Sequence, residues 1–184
     1  AADGKTGPFK TIMQAVRQCA VGARIVIANR DEARGMAAVG RLLQQGLLAE
    51  TVPTDVSESS QVTRLIDTVL QRHGHIDILV NSAAVIARKP AEEFTDDDWD
   101  RIINTNLRGA FLCCREAGRH MISQRRGKII NISSNVSQVI QPLRSVYAVS
   151  KAAVSHLTRA LAVEWATRGV NVNALAPGPT VTDF

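Results

Sequence analysis

The segment Ser145-Val146-Tyr147-Ala148-Val149-Ser150-Lys151 sets a phenol and an ammonium four positions apart. On a helix, residues at that spacing leave the same face one turn from each other. Free tyrosine titrates near ~10 and free lysine near ~10.4, and an adjacent positive charge pulls a phenol down toward working pH. The pair would then act as a general acid and base. Standing alone, Tyr-x-x-x-Lys is an ordinary surface pair. Upstream, however, Ser133-Ser134 closes the apolar run Lys128-Ile129-Ile130-Asn131-Ile132, which reads as a buried strand. Ser134 then stands at a strand's carboxyl end, where open α/β sheets place their ligands. A hydroxyl there would hold a carbonyl oxygen while Tyr147 gives or takes its proton.

The elements that must position these groups follow from periodicity. Pro8 to Ala20 carries Ile12, Met13, Val16 and Ala20 at near-helical spacing, with Pro8 suited to a first turn. Arg24 to Ala28 is a short strand, Arg30 to about Gln45 a helix, and Val52-Pro53-Thr54-Asp55 the end of a second strand. Ser59 to His73 is an amphipathic helix with Val62, Leu65, Ile66, Val69 and Leu70 inward, and Ile76 to Val80 a third strand. Thr95 is placed to cap a long helix running to about Gln124; after the strand before Ser134, the Tyr147 helix runs to about Arg168 and a last strand spans Val170 to Ala176. Strands alternating with helices of this length predict an α/β, Rossmann-like three-layer fold with a parallel sheet, in one domain over residues 1–184.

In combination, the Ser-Ser strand end, Tyr147, Lys151, the small residues of the helix that follows and Asn106 resemble the short-chain dehydrogenase/reductase family, over about Gly22 to Thr182. The resemblance implies a hydride-transfer enzyme with Asn106, Ser134, Tyr147 and Lys151 as its catalytic set: Ser134 polarises the carbonyl, Tyr147 moves the proton, Lys151 holds a ribose and tunes Tyr147. Asn106 matches the family's helix asparagine, which kinks its helix and whose carbonyl holds a water leading to the lysine. Without the resemblance, a mid-helix Asn is merely a poor helix former.

The resemblance also implies a cofactor site. Asn29 and Arg30 follow the first strand, where dinucleotide folds hold the adenosine ribose; an acidic residue accepts a 2′-hydroxyl and arginine suits a 2′-phosphate. Asn29 with Arg30 beside it points to NADP, with NAD as the alternative. Asp55 resembles the aspartate that contacts adenine. Asn81-Ser82-Ala83-Ala84 matches the family's Asn-Asn-Ala-Gly turn, with Ala84 in place of glycine. Pro177-Gly178 and Thr182 resemble the turn along the nicotinamide, Thr182 bonding its carboxamide. Tyr147 and Lys151 complete this set.

Two family features are not found in the sequence. After Thr6-Gly7 comes Pro8-Phe9-Lys10-Thr11, and no glycine recurs until Gly22, so the glycine-rich pyrophosphate loop has no counterpart. The chain also ends at Phe184, where relatives continue. The expectation is a fold incomplete at both ends: a fragment, or an altered member that is catalytically silent and serves as a subunit or interaction module. Arg88-Lys89-Pro90 and the acidic stretch after it resemble sugar-acid and polyol dehydrogenases such as gluconate 5-dehydrogenase. The segment through Ile132 equally resembles 3-oxoacyl-carrier-protein reductases. Arg88, Gln138 and Arg144 would suit an acidic substrate, or lie in exposed loops.

Composition narrows the remaining classes. With 45% apolar residues and 184 in all, the chain can build a substantial core, and no apolar run approaches the ~20 residues of a membrane span. The net charge of +5 is scattered, and its densest cluster, Arg125-Arg126-Gly127-Lys128, has no interleaved aromatics, which argues against nucleic acid. Cys19, Cys113, Cys114 and the four histidines have no metal-ligand spacing, so no metal is expected, and a reducing cytoplasm fits. Trp99 and Trp165 read as packing anchors. By resemblance the partner is a small-molecule substrate, and the chain forms a homodimer or homotetramer through outer faces of the Asn106 and Tyr147 helices, with Leu112, Ala117, Met121, Ala153, Leu157 and Leu161 as candidates.

Overall fold

The computed structural model describes residues 22–178, so the expected helix over Pro8–Ala20, the Thr6-Gly7 turn and Thr182 lie outside the described residues. These residues form two units, 22–54 with Gly178, and 55–177. In the first, β1 (Arg24–Asn29) and β2 (Leu48–Pro53) pair in parallel, Arg24 opposite Leu48 and Asn29 opposite Pro53. Helix α1 (Glu32–Leu43) crosses between them. Asp31 caps it, its carboxylate accepting the Arg34 N–H at 3.0 Å.

In the second unit, β3 (Ile78–Asn81), β4 (Gly127–Ile132) and β5 (Val170–Leu175) form a parallel sheet in the order β3-β4-β5. Its helices are α2 (Ser59–His73), α3 (Asp96–Ile103), α4 (Gly109–Ser123) and α5 (Ser145–Trp165). The core sits where α2, α4 and α5 meet β4 and β5: Ile66, Cys114, Met121, Ile129, Trp165 and Val172. The expected inward face of α2 is buried at Val62, Leu65 and Ile66. Strand β4, read as buried, alternates instead. Gly127, Ile129 and Asn131 point inward while Lys128 and Ile130 are exposed, because successive side chains leave opposite faces.

The long helix expected from Thr95 to Gln124 does start at Thr95, with a reciprocal capping box between Thr95 and Asp98. It is not continuous. Residues Asn104–Arg108 form a π-helical turn between α3 and α4. Such single wide turns recur at functional sites. Trp165 is buried as expected, but Trp99 is 46% exposed. Close approach of α4 to α5 depends on Gly118, where a Cβ would lie 2.7 Å from the Trp165 ring. Of the residues named for an outer apolar face, Leu112, Ala117, Met121 and Leu161 are buried within this unit. They fill its own core because the α4 and α5 faces that carry them turn toward the sheet.

Candidate active site

The second unit gathers the four expected catalytic residues. Ser134 lies two residues past β4, its Oγ accepting the Val136 N–H at 3.4 Å to open a short 3-10 turn. Tyr147 stands in the first turn of α5 and is half-buried. Burial pushes its phenol above its ordinary value, against the opposing effects of the Ser134 hydroxyl and the Arg144 charge.

Lys151 is 2% exposed and donates to the carbonyl of Ile132, the last residue of β4, at 2.7 Å. Burial lowers its pKa to about 8. Its ammonium lies 5.8 Å from the centre of the Tyr147 ring. This corrects the expectation that lysine pulls the phenol down. In this structure burial outweighs the charges around the phenol and raises it.

Asn106 occupies the middle of the π turn and is 2% exposed. Its amide clasps the backbone of Val85, accepting the Val85 N–H at 2.8 Å and donating to the Val85 carbonyl at 2.9 Å. That clasp fixes the loop after β3, which begins with the exposed small residues Ser82 and Ala83. Ala84 needs no glycine conformation: among the described residues, only Arg125 and Leu143 are non-glycines at positive φ.

Sequence reading missed a buried polar layer beneath these groups. The Asn81 amide donates to Asn131 Oδ1 at 2.9 Å, and Asn131 Nδ2 donates to Thr158 Oγ1 at 2.9 Å, joining β3, β4 and α5. Ser133 Oγ donates to the Lys151 carbonyl at 2.9 Å. Consecutive serines on an extended chain point to opposite sides, so Ser133 holds the helix while Ser134 faces the phenol. One signal was legible: Asn131 interrupts an apolar run at an inward position.

The other expected cofactor residues are placed as follows. Asp55 accepts the N–H and hydroxyl of Ser57 at 2.9 and 2.6 Å, a turn before α2. Pro177 accepts the Asn135 N–H at 3.0 Å, tying the end of the β5 segment to the Ser134 turn. In the first unit, Asn29 ends β1 and its Oδ1 accepts the Asp31 N–H at 2.9 Å, with Arg30 exposed beside it. Gly178 is likewise exposed. Among the described residues no His/Cys/Asp/Glu group is arranged to hold a metal ion, and no helix is long and apolar enough to cross a membrane. Burial raises the Cys113 and Cys114 thiols to about 11 and about 12, where neither is a nucleophile.

With a serine, a tyrosine and a lysine converging at the end of β4, the sequence profile of the short chain dehydrogenases matches residues 10–184. The chain belongs to the short-chain dehydrogenase family. It is 36% identical over 163 residues to gluconate 5-dehydrogenase of Gluconobacter oxydans, covering 89% of this chain and 64% of that protein. It is 38% identical over 169 residues to a 3beta-hydroxysteroid dehydrogenase of Mediterraneibacter gnavus, covering 91% and 61%. A crystal structure of gluconate 5-dehydrogenase from Burkholderia cenocepacia in complex with NADP and tartrate is 40% identical, with a TM-score of 0.83 over 88% of this chain and 64% of that one. That likeness accords with the expected α/β Rossmann-like fold. The chain therefore spans somewhat less than two thirds of the length of these relatives.

Proposed function

We propose that this chain forms the catalytic part of an NADP-dependent oxidoreductase that interconverts a secondary alcohol and a ketone of the sugar-acid or polyol kind. The observation that carries the reading is the convergence of Ser134, Tyr147 and Lys151 beside a loop clasped by Asn106. The residues suit a dinucleotide: small side chains follow β3, and Asn29 with Arg30 offers amide and cation rather than carboxylate at the end of β1. Bound NADP would supply the hydride chemistry. Ser134 holds the substrate oxygen by hydrogen bond, and Tyr147 takes the alcohol proton or returns it to the ketone oxygen. In this reading Lys151 exchanges its Ile132 carbonyl for a ribose hydroxyl, and the family resemblance assigns Asp55, Asn81, Ala83, Pro177, Gly178 and Thr182 to the cofactor.

Arg144, beside Tyr147, has no ion pair among the described residues, which favours an acidic substrate. A second reading has its own support. Val139, Ile140 and Leu143, in the loop joining Ser134 to Tyr147, are exposed and favour an apolar body such as a 3-oxoacyl thioester. For assembly we propose a homodimer or homotetramer in the cytoplasm, built on the side chains that α4 and α5 do expose, Phe111, Val149 and Val163.

The first test is titration of NADP and NAD against thermal stability. A ligand at ~100 times its dissociation constant should stabilise by about 2.7 kcal/mol. NADP giving the larger shift, followed by turnover of gluconate-type acids over acyl thioesters, is the expected result. No shift with either dinucleotide would sink the reading.

A further inference from the structure

We infer that Ser150 is a positioning residue for the proposed reaction, its hydroxyl transmitting the placement of Asn106 to the backbone of Tyr147; the inference rests on the function proposed above. Ser150 is fully buried, at 0% exposure, between Tyr147 and Lys151. Its Oγ donates to the Tyr147 carbonyl at 2.7 Å and accepts from Asn106 Nδ2 at 3.0 Å. A serine hydroxyl has one proton, and here it is committed to Tyr147, which leaves a lone pair for Asn106. Both amide hydrogens of Asn106 are then used, one by Ser150 and the other by the Val85 carbonyl, while Oδ1 takes the Val85 N–H.

The result is a directional chain of hydrogen bonds from the loop after β3, through the π turn, to the carbonyl of the residue bearing the phenol. Every link is buried or half-buried. A buried amide N–H left without an acceptor is costly, so the arrangement has one low-energy state rather than several. Asn106 sits at the middle of the π turn, and from there its amide reaches both Val85 and Ser150. Removing the Ser150 hydroxyl releases this register and leaves one Asn106 amide hydrogen without its acceptor. A phenol displaced by a fraction of an ångström loses proton-transfer efficiency while the binding surfaces persist.

The test compares Ser150→Ala, Ser150→Thr and Asn106→Ala, singly and as the Asn106→Ala/Ser150→Ala double variant, in the purified protein. For Ser150→Ala we expect kcat lower by about tenfold to 10²-fold with KM values changed less than about twofold. Ser150→Thr, which keeps the hydroxyl, should recover most of the loss. The double variant should be no slower than Asn106→Ala, because residues acting through one bond are non-additive. Full turnover in Ser150→Ala, or losses that multiply in the double variant, would overturn the assignment. If Ser150→Ala does not fold, Ser150→Cys, of similar size and a weak donor, carries the same comparison. Hydrogen exchange at the Val85 amide separates this from the function reading. If the wild type turns over no substrate, that reading fails, and Val85 exchange faster by about tenfold in Ser150→Ala still supports the wiring. Unchanged exchange would reject it.

Discussion

Tyr147 is the single tyrosine of the chain, so ultraviolet difference titration reads its phenol directly. Without dinucleotide it should titrate above its ordinary 10.0, because burial outweighs Ser134 and Arg144. Tyr147→Phe should lower turnover by roughly 10²–10⁴ while keeping the stabilisation by NADP, since only the proton relay is lost. Lys151→Ala should lose both. Near-normal turnover in Tyr147→Phe would remove the basis of the functional proposal. The two groups also set a pH dependence of stability. The folded pKa of Lys151 is depressed to about 8 from 10.5, so its contribution is present above 10.5 and lost as pH falls through 8. Tyr147 is raised, so its contribution is present below 10.0 and lost as pH rises through the folded value. The melting temperature should therefore gain between pH 8 and 10.5 from Lys151, a gain that Lys151→Met removes.

Helices α3, α4 and α5 deliver these residues, and each depends on a local feature that can be deleted. The Thr95 cap starts α3, and Thr95→Ala should cost ~1 kcal/mol in urea unfolding. Asp98, its partner in the capping box, also receives Lys89, whose bond holds the Asp98 carboxyl well below the usual range. That contribution is present above the ordinary 3.8 and lost in acid as pH falls through the folded value. Gly118 sets the α4–α5 crossing. Gly118→Ala places a methyl 2.7 Å from the Trp165 ring, and overpacking of this kind should cost about 1–3 kcal/mol. An unchanged unfolding midpoint would show that Trp165 can yield.

For the whole molecule, the proposal of self-association stands on what the helices leave exposed. Val163, near the end of α5, is 81% exposed, and the proposal sets it against a partner together with Phe111 and Val149. In sedimentation experiments the protein should behave as a dimer or tetramer, and Val163→Glu should shift it toward monomer with little loss of thermal stability. A monomeric wild type would remove this part of the proposal. The buried Leu112, Ala117, Met121 and Leu161 cannot take part without unfolding the core they complete.

Much of this was written in the chain itself. The period of the apolar residues gave helix α2 over Ser59–His73 without error, Thr95 as a cap, and Ser134 at a strand end, because periodicity, caps and strand length are local properties. The spacing of Tyr147 and Lys151 likewise placed both on one helix. Only the tertiary structure decided where their side chains went. Lys151 lies against the Ile132 carbonyl and not the phenol, since burial rewards a lysine that finds a backbone acceptor. The break of the long helix at Asn104–Arg108 was equally beyond local reading: Asn106 at its centre bonds Val85, some twenty residues away in sequence, and Ser150, more than forty away. Contacts at that separation have no signature in the spacing of any one segment; they exist once the sheet and helices have set the two sites side by side.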